Sequence, residues 1–84
     1  MDNSEIYERV CSVVCDVLGV TEDDITPESR FVEDLGAESI QSVELVAAFE
    51  EEFDIEMDED AALQVGSVGD AVQFIADVMA QQGE

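Results

Sequence analysis

The sequence predicts an all-α protein, a small bundle of three longer helices and one short helix with a long first loop. Apolar residues recur at helical spacing in separate segments. No segment alternates apolar and polar residues as a half-buried strand does. With 84 residues, of which 46% are hydrophobic, the chain can bury a modest core, so we interpret residues 1–84 as one domain.

The first helix is predicted close to the N-terminus. Asp2 or Asn3 can cap its start, and Gly19 marks its end. Glu5 and Arg9 are four residues apart and form a favourable pair on one face. The apolar stripe that should face the core consists of Ile6, Val10, Val13, Val14 and Val17.

The cysteines lie in this predicted helix, beside the stripe. We therefore expect Cys11 and Cys15 to be at least partly exposed. Their side chains lie on successive turns, too far apart for an easy disulfide. The chain has no histidine to complete a zinc site with them. We interpret both as reduced side chains and predict no specific metal site.

Residues 20–38 are predicted to form a loop, because threonine, aspartate, proline and glycine residues, which favour turns, recur through this segment. Unstructured loops of this length are uncommon in compact domains unless they are functional. We expect four apolar side chains to hold this loop on the core: Ile25, Phe31, Val32 and Leu35.

The second helix is predicted over residues 40–53 and has two faces. Its core face carries Leu45, Val46, Phe49 and Phe53. Another face carries Ile40, Val43, Glu44, Ala47 and Glu51. Apolar residues beside acids on a face that is not part of the core favour a contact surface. The alternative is that these are isolated exposed apolar residues, which are ordinary.

Two more helices are predicted in the last third of the chain. Residues 58–63 form the short one, and Ser67 with Asp70 resembles a capping box before the final helix. The core face of that helix consists of Val68, Ala71, Val72, Ile75 and Met79. We expect residues 81–84 to fray.

The composition limits the possible functions. A net charge of −21 repels nucleic acid and anionic membranes, and it favours basic protein partners. Without histidine or lysine, Ser-His-Asp, Schiff-base and P-loop chemistry are excluded, so we do not expect an enzyme. A calcium loop starting at Asp54 would need glycine and glutamate where Glu59 and Val65 stand. No signal-peptide pattern or membrane span is found, so a cytoplasmic location is expected.

The run DLGAESI at residues 34–40 places Ser39 at the start of the second helix. Unpaired N–H groups and the positive end of the helix dipole lie at such a position. They favour a phosphate group on the serine. The alternative is a serine that only caps the helix.

The segment FVEDLGAESI at residues 31–40, continued by VEL at 43–45 and EEEF at 50–53, resembles the acyl carrier protein family. The resemblance covers nearly the whole chain, which makes residues 1–84 an acyl carrier domain. It implies that a separate transferase, with magnesium, attaches 4′-phosphopantetheine from coenzyme A to Ser39. The thiol of that group would carry acyl intermediates as thioesters to fatty-acid, lipid or polyketide enzymes: synthases, reductases, dehydratases or acyltransferases. The carrier would be a monomer and not an enzyme.

The resemblance also implies two sets of residues. The partner interface would be Glu38, Ile40, Val43, Glu44, Ala47, Glu50 and Glu51. The acyl pocket would be lined by Leu45, Val46, Phe49, Met57, Val65, Ala71 and Ile75. The family usually has aspartate and leucine where this chain has Glu38 and Ile40, which predicts a specialised carrier. The alternatives are a polyketide, aminoacyl or lipid-A-type carrier and an unmodified acidic interaction module.

Overall fold

A computed structural model describes residues 2–82 and confirms the all-α prediction. Its helices are α1 (Asn3–Leu18), α2 (Ser39–Phe53), α3 (Glu59–Leu63) and α4 (Val68–Gln82). A single 3₁₀ turn, Glu22–Asp24, interrupts the loop after α1. Helix α1 packs against α2 and α4, and α3 packs against α2. Within the described range, extended pairing is limited to one isolated bridge between Arg30 and Ser67.

Both ends of α1 follow the predicted signals. Asp2 Oδ1 accepts a hydrogen bond from the Glu5 N–H at 2.9 Å and caps the start. Gly19 closes the helix with φ of +72°, and its N–H donates to the Cys15 carbonyl oxygen at 2.9 Å. This left-handed backbone conformation is strained for residues that have a Cβ atom, so glycine is suited to the position.

The core lies between α1, α2 and α4. The predicted core face of α2 is buried throughout, and so is most of the stripe on α1, with Val17 half-buried. The innermost side chains are Ile6, Val10, Val14, Val68 and Ile75. Because these apolar faces point inward, the outward face of α2 is left free for other roles.

One cysteine lies deeper than the sequence predicted. Cys11 is buried and Cys15 is half-buried, so the expected partial exposure was wrong for Cys11. The reason is that Tyr7, one turn earlier, and the 3₁₀ turn cover this flank of α1. The Tyr7 hydroxyl donates to the Ile25 carbonyl oxygen at 3.4 Å, which holds the loop over the cysteine. Both thiols are free.

The long first loop is fastened to the connection between α3 and α4. The Phe31 N–H donates to the Gly66 carbonyl oxygen at 3.1 Å, and the Gly69 N–H donates to the Pro27 carbonyl oxygen at 2.8 Å. A Cβ atom at position 69 would lie 3.0 Å from that carbonyl oxygen, so glycine permits the close approach. The loop is therefore a fixed wall of the bundle.

The side chains that hold this loop differ in part from the prediction. Phe31 and Ile25 are buried and Leu35 is half-buried, as expected. Val32 is 60% exposed, so its predicted core role was wrong. Phe31 takes the inward direction at this turn, and the next side chain points away. Ala37 is buried instead.

Helix α4 extends further than expected. Ser67 Oγ accepts from the Asp70 N–H at 3.2 Å, as the capping signal predicted. The helix continues through Gln82, whose side chain is hydrogen-bonded to Glu56, so fraying at residues 81 and 82 was wrong. The fraying predicted for residues 83 and 84 falls outside the described range. None of the helices described is long and apolar enough to span a membrane.

Candidate functional site

Ser39 is the first residue of α2, and its side chain is exposed. Glu38 precedes it as the N-cap residue. Gln41 Oε1 accepts from the Glu38 N–H at 2.9 Å, which is the reverse half of a capping box. The Ser42 N–H bonds to the Glu38 carbonyl oxygen at 2.9 Å and begins the helical ladder. Gln41 was not predicted from the sequence, although a glutamine three residues after the cap is the usual signal of a capping box.

This position fits a phosphate ester. The first N–H groups of a helix have no partner within it, and the helix dipole is positive there. The Ser39 hydroxyl is exposed, so a transferase can reach it. The net charge of −21 opposes reversible binding of an anion to the protein surface. A covalent bond to the serine avoids this difficulty.

A cavity of about 170 Å³ opens between α2, α3, α4 and the first loop. Ser42, one turn along α2 from Ser39, is part of its lining. The exposed lining residues Val32 and Leu63 mark its mouth. A group attached to Ser39 would therefore start beside this opening.

The structure brings most of the predicted pocket residues together. The lining includes Leu45, Val46, Phe49, Met57, Val65 and Ala71. Ile75 is not part of the lining, because its side chain is fully buried in the core. Phe74, Ala62 and Leu63 also line the cavity and were not predicted from the sequence. Phe74 lies beside Ile75 in the sequence and off the core stripe, so helical periodicity alone did not select it.

The outward surface of α2 carries most of the predicted interface. Ile40 is 66% exposed and Val43 is 44% exposed, and every other member except Glu50 is also exposed. We use the name α2 face for Ile40, Val43, Glu44, Ala47 and Glu51. Glu38 lies exposed at the start of the same helix. Exposed apolar side chains flanked by carboxylates suit a partner with a basic rim and an apolar centre.

Glu50 has a different environment from the α2 face. It is half-buried, and its Oε2 accepts from the Met57 N–H at 2.8 Å. The carboxylate therefore holds the segment between α2 and α3 against the end of α2. This contact connects Glu50 to the cavity, because Met57 lines it.

The thiols of the chain are poorly suited to chemistry. Burial raises the pKa of the Cys11 thiol, and the carboxylate of Glu22 adds to this effect. Burial and Glu22 likewise raise the pKa of Cys15. Thiolate, not thiol, is the nucleophile, so the raised pKa values make both side chains less reactive near neutral pH.

Two comparisons with known proteins bear on this site. Residues 8–75 match the family described as the phosphopantetheine attachment site. The chain is similar to a protein named acyl carrier protein from Picosynechococcus sp., with 47% identity over 75 residues. That similarity covers 89% of this chain and 93% of the relative. Both matched regions include the start of α2 and the cavity.

Proposed function

The chain belongs to the acyl carrier protein family, and on this premise we propose that Ser39 is where its 4′-phosphopantetheine is attached. Members of the family are carriers and not enzymes, and 4′-phosphopantetheine is their cofactor. The observation that carries the proposal is the position of Ser39, exposed at the first residue of a long helix.

Other serines within the matched residues are less suitable. Ser29 is buried, and its hydroxyl accepts from the Thr26 N–H at 2.9 Å. The Ser67 hydroxyl is occupied in capping α4. Ser12 is exposed but lies within α1, where the backbone N–H groups are already paired. Ser39 alone among these combines exposure with a helix start.

The attachment requires a separate transferase. The Ser39 Oγ forms a bond to the phosphorus of the pantetheine phosphate, and the bond from that phosphorus to the adenosine bisphosphate of coenzyme A breaks. The serine proton passes to a base on the transferase, and magnesium balances the phosphate charge. Once bound, the group supplies a terminal thiol that carries acyl chains as thioesters.

We propose further that the cavity beside Ser39 shelters the acyl chain and that the α2 face contacts the enzymes that process it. The cavity is lined largely by apolar side chains, which suits a hydrocarbon chain. The partners would be basic-surfaced enzymes of fatty-acid or related lipid or polyketide synthesis, because the carrier is strongly acidic.

Intact mass measures the attachment directly. The protein is incubated with coenzyme A, magnesium and a broad-specificity phosphopantetheinyl transferase. The wild type and the matched control Ser42→Ala should each gain one phosphopantetheine, and Ser39→Ala should gain none. A gain by Ser39→Ala would place the attachment elsewhere. An unchanged wild-type mass with several transferases would favour the unmodified interaction module.

A further inference from the structure

The cavity beside α2 is small. Its volume is about 170 Å³, and phenylalanine rings form part of its lining. Phe49 contributes from α2, where it is buried, and Phe74 contributes from α4. An apolar cavity of about 150 Å³ is enough to hold benzene, so this one has room for roughly six to seven carbon atoms. A long fatty acyl chain exceeds this capacity.

Building on the proposed attachment at Ser39, we propose that this carrier shelters acyl chains of medium length and that Phe49 and Phe74 set the limit. Both come from long helices, so their backbones are held in place by helical hydrogen bonds. Phe31 also lines the cavity, but it belongs to the loop wall, whose attachment its removal would disturb. The two helical rings are therefore the specificity-determining side chains.

The walls around these rings resist spreading. Met57, in the wall between α2 and α3, is held by the 2.8 Å bond from its N–H to Glu50 Oε2. The loop wall is held by the 3.1 Å bond from the Phe31 N–H to the Gly66 carbonyl oxygen. Widening the cavity would break such bonds, and packed interiors relax only in part. The ring volume at Phe49 and Phe74 thus determines how much chain can enter.

The fraction of acyl chains inserted in the cavity should rise steeply with chain length up to this limit. Each methylene that enters multiplies the ratio of inserted to free chain by about four, from the usual gain on burying a CH₂ group. Carbons beyond the limit remain in water and add nothing. The stabilisation of the fold by the acyl group should therefore rise with length and then level off.

The test uses holo protein whose single attachment has been verified by intact mass. It is loaded with straight-chain acyl groups from acetyl to tetradecanoyl, and the melting temperature is measured for each. The wild type should level off once about six to eight carbons are present. Phe49→Leu and Phe74→Leu should each move that point to longer chains by about one carbon, because leucine is smaller than phenylalanine by roughly the volume of one methylene group.

Phe53→Leu is the matched control. Phe53 is buried one turn further along α2, but it does not line the cavity. Its substitution should lower the melting temperature of the unloaded protein and leave the levelling point unchanged. Phe74→Leu is the second variant, since Phe74 is only half-buried and its loss is less disruptive than that of Phe49.

Three results would overturn the proposal. The first is a wild-type melting temperature that keeps rising up to the tetradecanoyl chain. The second is a melting temperature that no acyl chain changes. The third is a levelling point that stays at the wild-type chain length in both leucine variants. A protein that gains no mass with coenzyme A and transferase would instead contradict the proposed function, so the two failures are distinguishable.

Discussion

The side-chain amide of Gln82 pairs with both backbone polar groups of Glu56. Gln82 Nε2 donates to the Glu56 carbonyl oxygen at 2.7 Å, and Gln82 Oε1 accepts from the Glu56 N–H at 3.1 Å. The amide thus imitates a neighbouring strand and fastens the connection between α2 and α3 to the end of α4. The next residue, Met57, lines the cavity, so this pairing also positions one of its walls.

Gln82→Ala should loosen that connection. Both bonds are exposed, so we expect a loss of about 0.5–1 kcal/mol of unfolding free energy. Amide hydrogen exchange at Glu56 should become faster than in the wild type, because its N–H loses its acceptor. Gln81→Ala, at an exposed neighbouring position, is the control and should leave exchange at Glu56 unchanged. Equal exchange in both variants would show that the pairing does not hold the connection.

Tyr7 should make the protein lose stability at alkaline pH. Burial is the largest cause that raises the pKa of Tyr7 from 10.0 to about 12, and the neighbouring Cys11 and Glu28 add to it. The folded protein therefore retains this proton in a pH range where the unfolded chain releases it. The stability that the protonated Tyr7 contributes to the folded state is fully present below pH 10 and is lost as the pH rises through about 12. The raised pKa of Cys11 acts in the same direction.

Tyrosinate absorbance measures this directly, because Tyr7 is the sole tyrosine and tryptophan is absent. The absorbance should rise together with loss of helical circular dichroism, well above the pH at which free tyrosine ionises. Tyr7→Phe cannot ionise there, so its melting temperature should fall less steeply with alkaline pH. Ionisation of Tyr7 near pH 10 in a protein that remains folded would contradict this account.

Salt should stabilise the fold. The chain has 23 acidic residues and two basic ones, and the basic residues Arg9 and Arg30 already contact nearby glutamates. Salt screens repulsion between exposed carboxylates beyond about 10 Å at 0.1 M. The melting temperature should rise with NaCl, and magnesium or calcium should act at lower concentrations. A melting temperature that does not respond to either would show that charge repulsion does not limit stability.

The α2 face should govern association with the transferase. Glu44→Lys should lower kcat/KM for phosphopantetheine transfer severalfold at low salt, and the difference should shrink as NaCl is added. Glu8→Lys on α1 makes the same charge change elsewhere and should have a smaller effect. Val43→Asp should cost about tenfold at every salt concentration, since apolar contact is lost. Wild-type rates in all these variants would move the docking surface away from α2.

The bundle could be predicted from the sequence because its signals are local. Helical spacing of apolar residues identified the core of α1, α2 and α4, and the caps at Asp2, Gly19 and Ser67 have direct hydrogen-bonding reasons. The position of Ser39 at the start of α2 is likewise local. Such features depend on residues within one or two turns of each other.

Contacts between distant segments could not be predicted in this way. Cys11 is buried because Tyr7 and the following loop cover it, and Val32 is exposed because of the direction of one turn. Gln82 is ordered by a residue 26 positions away. Glu50 was predicted to belong to the partner interface from the resemblance to the family. Its hydrogen bond to Met57 depends instead on the path of the chain after α2. These relations require the assembled tertiary structure.

The side chains around Ser39 should make this carrier specialised. Glu38 and Ile40 flank Ser39, and Ala47 lies further along the same exposed surface. A partner enzyme would approach a group attached to Ser39 across these side chains, so a changed side chain can reject a wrong partner as well as accept a right one. We therefore expect this carrier, loaded with malonyl and acyl groups, to be a slow substrate for standard fatty-acid elongation enzymes.

Glu38→Asp combined with Ile40→Leu should raise turnover by those enzymes. The Gln41 side chain accepts the hydrogen bond from the Glu38 N–H, so the start of α2 should survive the substitution at position 38. An unaltered melting temperature would verify this. Glu8→Asp shortens an exposed carboxylate on α1, outside the α2 face, so it is the control and should leave turnover unchanged. If the wild type elongates acyl chains as fast as a general fatty-acid carrier and the double substitution has no effect, this carrier is not specialised by these positions. An increase confined to the double variant would assign partner choice to the two residues beside Ser39.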